Sequence, residues 1–154
     1  MHRFIWNRIN IQKHSFISWL MVHDKLQTLD NMKWSYIPNH CCLCMMAEEN
    51  RAHLFFVCKW SRELLRLSSD WLRLTSIPAR HAHWIRWVLH AFGRKRRFKV
   101  VGALLTAVIY EIWKERNNRI FRNCAQTPNN VFSVMKKKLT HRFAYCYPDF
   151  RLAH

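Results

Sequence analysis

Four residues between positions 41 and 58 have the types and spacing to hold a metal ion. Cys41, Cys44, His53 and Cys58 form the pattern C-x2-C-x8-H-x4-C. Zn²⁺ takes thiolate and imidazole ligands in a tetrahedron, and structural sites fill all four positions. A C-x2-C turn lets two sulfurs converge on one ion. His53 and Cys58 are close enough in sequence to share a helical turn or the loop that opens it. Three thiolates and one imidazole leave no open position for substrate or water, so the expected role of Zn²⁺ is structural and the site itself non-catalytic. Cys42 and His40 stand beside the set as outside candidates. A Cys42–Cys44 pair has a single intervening residue, which is tight for chelation.

A second group could bind rather than react. Arg94, Lys95, Arg96 and Arg97 form a basic run. Phosphate contacts of that kind give affinity without sequence specificity. Trp84, Trp87 and Phe98 are near in sequence and are candidates for stacking on unpaired bases. A third segment, 114–119 (KERNNR), is read as the solvated face of an apolar helix, with phosphate contact as the alternative.

Signals for catalysis are thin. The chain has no G-x-S-x-G, no P-loop and no Gly-rich nucleotide turn. Its nine Asp and Glu are scattered, with no spaced set for two-metal phosphoryl chemistry. The expectation is therefore a protein that is not an enzyme and has no small-molecule substrate.

Composition constrains what positions these groups. The chain has 154 residues, half of them hydrophobic, with eight Trp and ten Phe, enough to build a core. Only two Gly and four Pro are present; turn-rich β architectures use many more, so long helices are favoured. The 26 Lys and Arg outnumber the nine acids and give a net charge of +17. Such a surplus attracts polyanions, nucleic acid first among them. Four of six Cys lie within 18 residues, unlike a secreted disulfide scaffold. The N-terminal stretch does not read as a secretory signal. An intracellular protein, nuclear or cytoplasmic and not secreted, is expected. The most apolar stretch, 100–113, is too short to span a membrane and contains Glu111, so it reads as a buried helix.

Periodicity predicts a helix from His14, with Phe16, Ile17, Trp19, Leu20, Val22, His23 and Leu26 on a broad buried face. Asp30 and Asn31 end it. Glu48 and Glu49 are placed in the first turn of a helix, where they would complement its dipole. That helix is predicted from about 52 to about 74, with a possible break at Ser68 and Ser69. Further helices are predicted over 81–92, over 98–121, and from Thr127-Pro128 to about 144. The expected fold is mostly α: a small helical domain with one structural zinc-binding loop, followed by further helices.

Three stretches together resemble a known family. They are F-I-S-W-L-M-V-H-D-K-L-Q-T at 16–28, C-C-L-C at 41–44, and E-E-N-R-A-H-L-F-F-V-C at 48–58. These look like the zinc-binding domain that follows the reverse transcriptase in plant non-LTR (LINE-type) retroelements. The matching positions are Trp19, Leu26, Thr28, Cys41, Cys44, Glu49, His53, Leu54, Phe55 and Cys58. The later I-W-K-E-R-N-N-R-I-F at 112–121 resembles a helix that commonly follows that domain. Cys42 stands where the family usually has Pro. The resemblance implies a zinc finger-like domain at 1–75, followed by a basic helical extension at 76–154. It implies a retrotransposon origin without the element's enzymatic parts, and a part in binding template or element RNA; with the basic surplus, the expected partner is nucleic acid, RNA or single-stranded DNA. The alternative is a protein-interaction or structural remnant with a protein partner.

Overall fold

The computed structural model describes residues 2–32, 36, 38–74 and 96–149. The predicted helix over 81–92 lies outside these residues. Five α-helices are present among the described residues: α1 (His2–Ile5), α2 (Gln12–Val22), α3 (Lys59–Leu72), α4 (Arg96–Arg122) and α5 (Pro128–Cys146). A 3-10 turn at Leu29–Asn31 and a π-helical turn at His53–Val57 complete the regular structure. No strand occurs among them; an isolated bridge pairs His40 with Glu48. The mostly helical architecture expected from composition is the one observed.

The long helix α4 is the axis of the core. Phe98, Val100, Val101 and every residue from Gly102 to Ile109 are buried. A helix that is buried on all sides needs neighbours on all sides, and α1, α2, α3 and α5 each pack against α4. This accounts for the apolar stretch at 100–113 as core. No helix among the described residues is long and apolar enough to cross a membrane.

The last helix starts where the sequence indicates. The Thr127 hydroxyl accepts a hydrogen bond from the Asn130 backbone N–H, and Pro128 occupies the first turn. Val131, Met135, Leu139 and Phe143 then form its buried stripe at four-residue steps. Trp71 of α3 stacks against Phe143 with ring centres 6.1 Å apart.

Two predicted elements differ from the structure. In α2 the fully buried residues are His14, Ser15, Ser18 and Met21; of the group named from periodicity, Leu26 is buried and Ile17, Trp19, Leu20 and Val22 are half-buried against the core, while Phe16 is 52% exposed. The apolar residues at 16, 17, 19, 20 and 22 spread around the helix and select no single face at 100° per residue. Two of the buried residues are serines, whose small side chains allow close helix approach. The Ser15 hydroxyl donates to the Ile5 carbonyl. The second difference lies at Cys58. The predicted single helix over 52–74 is interrupted there by an extended ψ of 130°, which separates the π-turn from α3. Ser68 and Ser69 do not break α3; their hydroxyls donate to the carbonyls of Leu64 and Leu65, 2.7 Å away in each case.

The buried face of α2 has a pH consequence. His14 stacks on Tyr110 of α4 at 4.5 Å, and its Nδ1 has no hydrogen-bond partner among the described residues. Burial, then the charges of Lys13, Lys138 and Lys114, push its pKa down to about 4 from 6.5. The unfolded chain therefore binds this proton at a higher pH than the folded one. The stability from keeping His14 neutral is fully present above about pH 6.5 and falls as the pH drops towards 4, by about 3 kcal/mol in total. Denaturation of wild type and His14→Gln at neutral and mildly acid pH checks this. The variant should lose less stability on acidification; equal losses would refute the assignment.

Candidate metal centre

The turn that carries the first two cysteines is built by short backbone hydrogen bonds. The Cys41 N–H donates to the Ala47 carbonyl at 2.8 Å, and the Met45 N–H donates to the Cys41 carbonyl at 2.7 Å. The Glu49 N–H reaches back to the Asn39 carbonyl at 3.2 Å. Met45 closes the turn with φ of 56°, a left-handed conformation that costs a side-chain-bearing residue more than Gly. Its side chain and that of Met46 point to solvent.

The other two residues come from the π-turn and from the head of α3. Asn50 caps the turn: its side-chain oxygen accepts from the His53 N–H at 2.8 Å. The Cys58 N–H donates to the His53 carbonyl at 2.7 Å, five residues back. The wider π-turn thus places His53 and Cys58 so that both face the cysteine turn. Cys58 then starts α3, its carbonyl accepting from the Arg62 N–H.

These elements converge. One ligand atom from each of Cys41, Cys44, His53 and Cys58 lies within 4.8 Å of the other three. The Cys41 and Cys58 sulfurs are 3.8 Å apart, and the Cys44 sulfur is 3.3 Å from His53 Nε2. A disulfide needs sulfurs at about 2.05 Å, so the Cys41–Cys58 separation is not one. It does match the edge of a tetrahedron around an ion with bonds of roughly 2.3 Å, which is about 3.8 Å. Three sulfurs and one imidazole nitrogen are the donor set that zinc takes in closed sites. Cys41 and Cys58 are fully buried, while Cys44 and His53 are partly exposed.

Local electrostatics favour thiolate at Cys58. The Cys58 thiol is held well below its usual range, first by the hydrogen bond from Cys41 and then by the backbone N–H groups of Ser61 and Trp60 at the head of α3. Cys41, as the donor to Cys58 and buried, is pushed up; N–H groups of Cys44 and Leu43 act in the opposite direction. A metal ion would replace the shared proton and hold both sulfurs as thiolates.

Cys42 is turned away from this set. Its sulfur lies 3.7 Å from the Arg116 carbonyl of α4, and burial raises its pKa to about 11. His40 is exposed and bridges Glu48 instead. Neither falls within the converging group.

Glu49 is not at the first turn of a helix as expected. It is fully buried and forms an ion pair with Arg116, whose side chain is 2% exposed, at 2.8 Å. The same carboxylate accepts the Leu29 N–H at 2.9 Å. Arg119 adds a second link from α4: one guanidinium nitrogen donates to the carbonyls of Cys42 and Leu43 at 3.1 and 3.3 Å. Buried Glu115 orients Arg119 at 2.9 Å and accepts the Gln126 N–H at 2.7 Å. The segment 114–119 is therefore not simply a solvated face. Glu115, Arg116 and Arg119 hold the cysteine turn, while Lys114, Asn117 and Asn118 face outward. The clue was its register: Val101, Leu105, Val108 and Ile112 continue at the same spacing into Glu115, Arg116 and Arg119.

Of the basic run, Arg94 and Lys95 lie outside the described residues. Arg96 and Arg97 open α4 on the exposed surface. Arg96 sits over the Tyr147 ring at 5.5 Å, and Arg97 donates to the Leu72 carbonyl at 3.3 Å.

No curated protein and no solved structure matches the chain. A family model does: residues 1–64 match the one described as zinc-binding in reverse transcriptase, a span that contains all four converging residues.

Proposed function

We propose that the chain is a module of plant non-LTR retroelement origin that carries one structural zinc and binds RNA or single-stranded DNA inside the cell, without catalysis of its own. Zinc, held by Cys41, Cys44, His53 and Cys58, would join the cysteine turn to α3, and Arg116 and Arg119 would carry that order to α4. The observation behind nucleic-acid binding is the charge. Six of the nine acidic residues, namely Asp24, Glu49, Glu63, Asp70, Glu111 and Glu115, are already in ion pairs within the protein. Few are left to offset the cations at the surface. Lys136, Lys137, Arg96 and Arg97 are exposed, on α5 and at the start of α4.

A salt titration of binding to oligo(U) and oligo(dT) tests this reading. Log affinity should fall linearly with log salt, at a slope of about 0.7 per phosphate neutralised on a single strand. Replacing Arg94, Lys95, Arg96 and Arg97 together by Gln should lower that slope by up to about 3. Absence of binding even at low salt would refute the proposal.

A further inference from the structure

The outward side of the last turns of α4 is unlike the rest of the helix. Tyr110, Trp113, Lys114, Asn118, Phe121 and Arg122 line one shallow hollow of about 440 Å³, in the size range of ligand sites. Their spacing of three and four residues puts them on a single stripe. The opposite face of the same turns carries Ile112, Glu115, Arg116 and Arg119, which hold the core and the cysteine turn.

Several features of the hollow remain unexplained by the fold. Phe121 is 66% exposed, although a Phe gains by burial. Arg122 is exposed and has no acidic partner among the described residues. Among the described residues the Asn118 side chain has no hydrogen-bond partner, leaving both a donor and an acceptor available. Lys114 is 43% exposed and reaches Glu111 only at 3.5 Å. Trp113 is half-buried and held by the Arg116 guanidinium, 4.9 Å from its ring centre. Aromatic surface, two cations and an amide on one stripe are the parts that bind an unpaired nucleotide: a ring to stack on, charges for the phosphates, and an amide for a base edge. An acidic peptide would use the cations but leave Phe121 without a planar partner.

We infer that this hollow on α4 is a stacking site for unpaired bases, with Phe121 as the platform, Lys114 and Arg122 on the flanking phosphates and Asn118 at the base edge. It rests on the nucleic-acid reading above and deepens it, separating single-strand recognition from the general attraction of the basic surface. A duplex keeps its bases stacked on one another and offers nothing to Phe121. The hollow therefore discriminates by strandedness. It shares its helix turns with Arg116 and Arg119, which anchor the cysteine turn.

The test is binding of labelled oligo(U), oligo(dT) and a DNA duplex to wild type, Phe121→Ala and Asn118→Ala at one salt concentration. Phe121→Ala should weaken single-strand binding by about five- to a hundredfold and leave duplex binding within twofold. Asn118→Ala should give a smaller loss in the same direction. Phe121 is exposed, so its replacement is compatible with folding, and the unchanged duplex affinity reports that the fold is intact. If wild type binds nucleic acid and Phe121→Ala binds single strands as tightly, the stacking site is wrong while the charge-based reading stands. If wild type binds no nucleic acid, both fail. Equal losses on oligo(U) and oligo(dT) are expected, since stacking uses the base and not the 2′-hydroxyl; a loss confined to one of them overturns base stacking as the mechanism.

Discussion

Cys58→Ser should leave the purified protein without bound metal and should unfold the region from 39 to 58 cooperatively. Cys58 is fully buried and 3.8 Å from the Cys41 sulfur, and it begins α3. Losing it removes a ligand and the joint between the π-turn and α3 together. Structural zinc in small domains contributes about 10–16 kcal/mol of apparent binding free energy at neutral pH, comparable to the whole stability of an ordinary domain, about 5–15 kcal/mol. Chelation of the wild type should produce the same loss. Cys42→Ser is the control: its sulfur faces the Arg116 carbonyl outside the ligand group, so metal content should stay at one ion per chain. Elemental analysis with thermal melts, with and without chelator, reads both. A wild type that is metal-free and melts at the same temperature with chelator present would overturn the site.

Arg116→Ala is the second large effect, about 3–5 kcal/mol of lost stability. The mutation leaves Glu49 charged in a site with no exposure, where, among the described residues, the Leu29 N–H is its one remaining hydrogen-bond donor. Burial of an uncompensated charge is what makes the loss large; the pair itself contributes much less, because both ions were desolvated to form it. Glu49→Gln combined with Arg116→Met removes both charges and keeps an acceptor for the Leu29 N–H. It should recover a good part of the loss. Urea denaturation of the wild type and these two variants reads the difference. Arg116→Ala within about 1 kcal/mol of wild type would mean that the cysteine turn is not anchored through this pair.

The helices differ in how far their positions could be read in advance. α4 and α5 were readable because each has a strong local cause: an apolar run too short for a membrane, and a Thr-Pro start followed by a stripe at four-residue steps. α2 was readable as a helix but not in orientation. Its apolar residues surround it, and the buried side was decided by contact with α4 and by the Ile5 carbonyl that Ser15 bonds. The break at Cys58 was hidden because its flanking residues are all acceptable in a helix. The demand that His53 and Cys58 face the same point is a tertiary one.

By itself, the sequence determined the helical class and the four residues that converge on one point. Both are local: helix propensity acts within a turn or two, and the four ligand-type residues lie within 18 residues of one another. What only the tertiary structure decided is what holds that site in place. Glu49 and Arg116 are 67 residues apart, and no short-range pattern links a carboxylate beside a metal turn to an arginine on a distant helix. Charge in a sequence suggests exposure. Here the continuation of the core stripe of α4 carries Glu115, Arg116 and Arg119 inward, because each finds a charged or carbonyl partner there that offsets part of its desolvation. The outward side of the same turns is left with Phe121, Asn118 and Arg122. Which residues of one short charged segment anchor the turn, and which face solvent, follows from the rotation of α4 against its neighbours.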